Sequence, residues 1–88
     1  MAATRVVVHG RVQGVFFRAS CAQAAESAGV CGWVANADDG TVEAWFEGED
    51  EAVEAMVRWC HTGPPRARVQ RVESEPADPV GHPGFEVR

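Results

Sequence analysis

Two stripes of helical periodicity lie among runs of strand-forming residues, in the order β-α-β-β-α-β. This order predicts a two-layer α+β sandwich, with a mostly antiparallel sheet and two helices on one face. Three observations carry the prediction. Phe17, Cys21, Ala24 and Ala28 repeat at helical spacing, as do Val53, Met56, Val57 and Cys60. An Asp-Gly pair sits between two apolar runs, the mark of a hairpin between antiparallel strands.

Each element has its own cause. Residues 5–9 are a short β-branched run without polar alternation, which suits a buried strand. Gly10 to Phe16 is a loop with a glycine at each of two bends. Phe17 to Ala28 follows as a helix, widened by Ala22 and Ala25 and stopped by Gly29. A second strand runs from Val30 to Ala35. The hairpin NADDGT leads into TVEAWFE, where Val42, Ala44 and Phe46 share one face and Thr41, Glu43, Trp45 and Glu47 the other, a half-exposed strand. Glu49, Asp50 and Glu51 open the second helix, where negative charge suits the helix dipole. Gly63, Pro64 and Pro65 end it. Residues 67–75 form another strand, in which Val69 and Val72 break the alternation and point to a bulge. ADPVGHPG is a loop, and FEVR a short last strand. The βαββαβ order is that of the ferredoxin-like arrangement.

The 88 residues suffice for one domain, residues 1–88, burying roughly 60–65% of the surface of the unfolded chain. An apolar share of 45% is that of a folded chain. No apolar run approaches the ~20 residues that span a bilayer, so no membrane partner is expected. The start, MAATRVVV, lacks the apolar stretch of a signal peptide, so a cytoplasmic location is expected. Cys21, Cys31 and Cys60 are odd in number and far apart, and His9, His61 and His82 are scattered. Neither a disulfide framework nor a metal site is expected. Eight basic residues against thirteen acidic ones give a net charge of −5, which disfavours nucleic acid. A local anion pocket can still oppose the global sign.

One stretch asks for such a pocket. In VVVHGRVQGVFFRAS, Arg18 sits where the strand-like run becomes helical. A helix start is already electropositive, so an arginine there is mildly unfavourable unless something negative lies beside it. The loop before it offers unpaired backbone N–H groups, its glycines let the chain bend around a ligand, and the guanidinium adds a planar fork of donors. These are the parts of a phosphate or carboxylate cradle. On the glycines alone, an ordinary strand–helix turn with a solvated arginine is the better explanation. The Walker pattern is absent, since Val15 follows Gly14 where Lys-Ser/Thr is required, and so is the dinucleotide fingerprint.

HGRVQGVFFRAS, followed by GVCGWVANADDGTVEAWFEG, resembles the acylphosphatase family, whose signature is G-R-V-Q-G-V-x-F-R and then G-W-V-x-N with a Gly-containing hairpin. The matching residues are Gly10 to Val15, Phe17 and Arg18, then Gly32, Trp33, Val34 and Asn36. The similarity runs from about Arg5 to Arg88, the GPP after the second helix included. It implies a ferredoxin-like fold and hydrolysis of small acyl phosphates to carboxylate and inorganic phosphate, with no cofactor and no metal; no feature of the sequence requires a partner chain, so a monomer is expected. Arg18 matches the family's essential arginine and Asn36 its water-positioning asparagine. The amides of Val12, Gln13, Gly14, Val15, Phe16 and Phe17 would hold the phosphoryl oxygens. Ala37 stands where animal members often carry a hydroxyl residue.

Competing assignments attach to other residues. CHTGPPR, Cys60 to Arg66, fits the C-x₅-R loop of cysteine phosphatases, but a helix precedes the cysteine and two prolines remove amide donors. A core cysteine at a helix end is the plainer account of Cys60, and the apolar stripe gives the same account of Cys21. Arg11 either attracts the anionic substrate or is solvated. Trp33 packs on the sheet, Trp45 is partly exposed, and Gln13 stabilises the loop by hydrogen bonding. The acids of residues 49–54 form a solvated helix face. A non-catalytic carbamoyl-phosphate binder is the alternative of a different class, and the pairing of Arg18 with Asn36 speaks against it. An RNA-binding sheet would require aromatic and basic residues on one face, where this chain has acids.

Overall fold

Val6, Val8, Val34, Val42, Ala44 and Phe46 are wholly shielded from solvent, and their alternation along three strands is what lets one sheet face close over a core. The computed structural model describes all of residues 1–88. Its elements are β1 (Ala2–Arg11), α1 (Phe17–Ala28), β2 (Cys31–Asn36), β3 (Val42–Gly48), α2 (Asp50–Thr62), β4 (Arg68–Ala77) and β5 (Phe85–Val87). The sheet order is β4-β1-β3-β2-β5. Every neighbouring pair is antiparallel except β2 with β5. The βαββαβ order and the ferredoxin-like α+β architecture are those expected.

The register explains the packing. Val6 and Val34 both stand opposite Ala44, so a small residue between two valines keeps the sheet face level. From α1, Phe17, Cys21 and Ala25 join the same core cluster, and from α2, Val53, Met56 and Cys60. Phe17 meets Trp59 edge to face at 5.2 Å, which ties the start of α1 to α2. Gly32 has φ 136° and is buried against β3, where an added Cβ would collide with the Trp45 carbonyl oxygen. Phe46 and Phe85 stack at 5.9 Å on the strands that flank this glycine.

The expected bulge lies opposite the shift in β1. His9 pairs with Arg71 and Gly10 with Val69, so Gln70 is the extra residue. The sequence pattern fails on the polar face of β3. Alternation points Thr41 and Glu47 toward solvent, yet they are 7% and 2% exposed. The loop of residues 78–84 folds over Glu47, and Thr41 is drawn into the β2–β3 turn by Asp39, whose Oδ1 accepts from its N–H at 3.0 Å and its hydroxyl at 2.6 Å. Hydrogen bonding to Thr41, through side chain first and backbone second, holds the Asp39 carboxyl below its ordinary value. No helix is long and apolar enough to cross a membrane.

Candidate active site

Between β1 and α1 the chain turns through two positive-φ residues, Gly14 at 73° and Phe16 at 65°. Glycine takes such a conformation freely, whereas phenylalanine does so at a cost of about 1–2 kcal/mol. Phe16 is also the N-cap of α1 and supplies no side-chain acceptor, and the first turn holds no acid. The helix start is therefore left electropositive and unsatisfied. The main-chain N–H groups of residues 12–16 donate to nothing else in the chain. Five consecutive free donors at a helix start are the kind of groups an anion would pair with.

The loop borders a cavity of about 310 Å³. Of the residues singled out in the sequence, Val12, Gly14, Phe16, Phe17, Arg18 and Asn36 line it, joined by Ala19 and Val87. Arg18, the second residue of α1, is half-buried and has no Asp or Glu side chain within 4 Å. Its Nη1 donates to the main-chain oxygen of Arg88 at 2.7 Å. This oxygen supplies the negative charge beside the arginine at the helix start. Asn36, the last residue of β2, is exposed at the cavity wall.

Gln13 and Val15, also singled out in the sequence, do not line this cavity. Val15 is buried. Gln13 stabilises the loop as expected: its Nε2 donates to the carbonyls of Ala37 at 2.8 Å and Thr41 at 3.0 Å. Those acceptors flank the β2–β3 turn, which the Ala37 carbonyl closes by accepting from Gly40 N–H at 3.2 Å. One amide side chain therefore fixes the loop relative to the turn that follows Asn36. Donors and asparagine are held as one unit.

Arg88, Val87 and Asp39 were not singled out in the sequence. The Asp39-x-Thr41 spacing is a local turn signal that could have drawn attention to the turn. The Arg18–Arg88 contact spans 70 positions and leaves no local signal. Arg88 is itself held by Glu86 Oε1 at 3.1 Å and by the Trp33 ring, 4.9 Å from its guanidinium carbon.

Cys60 lies in the last turn of α2, fully buried, and burial pushes its thiol up to about 12. A sulfur wholly buried in the last turn of a helix cannot reach a substrate, which disposes of the C-x₅-R alternative. Burial, and next the charge of Cys60, pushes Cys21 higher still.

A family model described as acylphosphatase matches residues 4–87. The chain is 63% identical to an acylphosphatase of Rubrobacter xylanophilus, over 96% of this chain and 77% of that protein. It is 59% identical to one of Haloarcula marismortui, over 100% of this chain and 99% of that protein. The crystal structure of acylphosphatase from Bacillus subtilis superposes with a TM-score of 0.96 at 35% identity, covering 100% of this chain and 99% of that one.

Proposed function

We propose, from the premise that this chain belongs to the acylphosphatase family and is a hydrolase of acyl phosphates, that the residue 12–17 loop and Arg18 hold the phosphoryl group while Asn36 places the attacking water. The supporting observation is one cavity that brings together Val12, Gly14 and Phe16 of the loop of unpartnered amides, an arginine with no acidic side chain beside it and an exposed carboxamide.

The chemistry suits these groups. An acyl phosphate is a mixed anhydride with a carboxylate leaving group, whose conjugate acid has a pKa near ~4. It departs without a proton donor, so the site requires no strong acid. The water oxygen bonds to phosphorus, the P–O bond to the acyl group breaks, and its electron pair leaves with the carboxylate. The water's proton passes to a phosphoryl oxygen or to solvent. Amides and guanidinium fixed before the reaction stabilise the phosphoryl charge without reorganising. The Asn36 carboxamide orients water by hydrogen bonding and confines it to an attacking position. Nothing lining the cavity is a His, Cys, Asp or Glu, and the proposed reaction routes no step through a metal.

The same proposal covers the setting. In this reading the protein acts as a monomer, with residues 1–88 as one domain around one core cluster. Three free cysteines suit the reducing cytoplasm. The substrate is a small acyl phosphate and the product inorganic phosphate.

The test is hydrolysis of benzoyl phosphate with EDTA present. Wild type should turn over, and Arg18→Ala should lose about 10²–10³ in rate, the usual effect of removing one strong donor, or about 3–4 kcal/mol. Arg18→Lys should lose most of it too, because an ammonium lacks the planar fork. Comparable turnover by folded Arg18→Ala, or complete inhibition by EDTA, would overturn the proposal.

A further inference from the structure

Arg11, Arg66 and Arg68 line a second cleft, of about 290 Å³, with Gly14, Val15 and Pro65. Three of the chain's eight basic residues therefore gather in one place on a protein of net charge −5. None of the three has a carboxylate within 4 Å, since all four ion pairs of the chain lie elsewhere, and none donates a side-chain hydrogen bond to the chain. Nearby Arg71, by contrast, is paired with Glu73.

The backbone forces two of these charges together. Arg11 and Arg68 are direct Cα partners across β1 and β4, in the register that follows the Gln70 bulge. Directly opposed residues have Cβ atoms roughly 4.5–5.5 Å apart, and like charges there are destabilising. Arg66 adds a third from the segment between α2 and β4. An anion between the guanidinium groups converts this repulsion into attraction. Each is a planar fork suited to a phosphate or carboxylate group. Gly14 belongs to both clefts, so the loop that borders the catalytic cavity also borders this one.

We propose that Arg11, Arg66 and Arg68 form a second oxyanion site, next to the catalytic cavity and separate from it, that takes one phosphate or carboxylate group. The group comes either from a substrate whose acyl part carries a second anion or from a free oxyanion. The cleft has room for a small group, not for a polymer.

The test uses the full chain and Arg66→Gln/Arg68→Gln, both exposed positions outside the catalytic cavity. Without phosphate, the double variant should melt at the same temperature as wild type or higher, because like charges have been removed. Inorganic phosphate should raise the melting temperature of Arg18→Ala, and adding the two Gln substitutions should abolish that rise. Substrates identify the source. A KM about tenfold higher in the double variant for succinyl phosphate, with acetyl phosphate unchanged, assigns the site to the substrate's second anion; tenfold is the effect of one charge-assisted bond. Both KM values unchanged, with the phosphate-dependent rise lost, assigns it to a free oxyanion. A rise that survives the two substitutions overturns the inference. So does an equal KM increase for both substrates, which would merge the cleft with the catalytic cavity. Acetyl phosphate turnover reports on the catalytic proposal by itself, so an inactive wild type and a silent cleft are separate failures.

Discussion

Glu47→Gln keeps the shape of a buried side chain and removes its charge. In the wild type, Oε1 accepts from Trp45 Nε1 at 2.8 Å and Val80 N–H at 3.3 Å, while Oε2 accepts from Gly81 N–H at 2.9 Å and His82 N–H at 3.1 Å. The carboxylate thus latches the loop of residues 78–84, which leads into β5 and the Val87 wall of the cavity. Whichever way a glutamine amide is turned, its NH₂ faces two N–H donors. Two bonds to a charged acceptor are lost, each worth about 1.5 kcal/mol at the low end of the range. The cover over Glu47 is a thin loop that can open to water, which argues for the low end, so the expected loss is about 3 kcal/mol at pH 7. For a domain of this size that corresponds to a fall in melting temperature of roughly 12–20 °C.

The pH dependence distinguishes a charge effect from a packing effect. Burial, the largest single influence, pushes the Glu47 carboxyl up, but the N–H of Trp45 and the three loop amides outweigh it and hold the group below its ordinary value. A depressed carboxyl contributes stability that is present above the unfolded-state value and is lost as pH falls through the folded one. Urea unfolding of both proteins should therefore show a gap that is full at pH 7 and narrows below about pH 4.5. A gap under about 1 kcal/mol at pH 7, or one that does not change with pH, would refute the latch.

Two further outcomes test other parts of the structure. Asn36→Ala should lower kcat for benzoyl phosphate more than it weakens inhibition by inorganic phosphate; weaker phosphate inhibition with unchanged kcat would remove Asn36 from water placement. Gly32→Ala should destabilise by more than about 2 kcal/mol in thermal unfolding, because the new Cβ meets backbone at a positive φ. Gly40→Ala, also at positive φ but with nothing near its Cβ, should cost only about 1 kcal/mol. Equal costs would show that backbone conformation, not close approach, governs Gly32.

What the sequence disclosed follows from the range of each interaction. The bend through Gly10 and Gly14, the helix beginning at Phe17 and the stop at Gly29 rest on residues a few positions apart, and all could be placed. The bulge was visible as a break between Val69 and Val72, but its consequence, Arg11 facing Arg68, depends on strand register. Alternation along β3 sent Glu47 to solvent because a period-two pattern assumes that a polar face stays open. The loop that covers it is rich in proline and glycine and has no periodicity to announce where it lies. Arg18 and Asn36 could be named from the motif, whereas the Arg88 oxygen beside Arg18 and the Gln13 tether to the β2–β3 turn arise from folding over long separations.

A crystal structure with inorganic phosphate tests the catalytic cavity most directly. The ion should sit within hydrogen-bonding distance of N–H groups from residues 12–17 and of the Arg18 guanidinium, with the Asn36 carboxamide toward its open side. A phosphate bound only elsewhere, with Arg18 still turned to Arg88 and Asn36 facing away, would contradict the account.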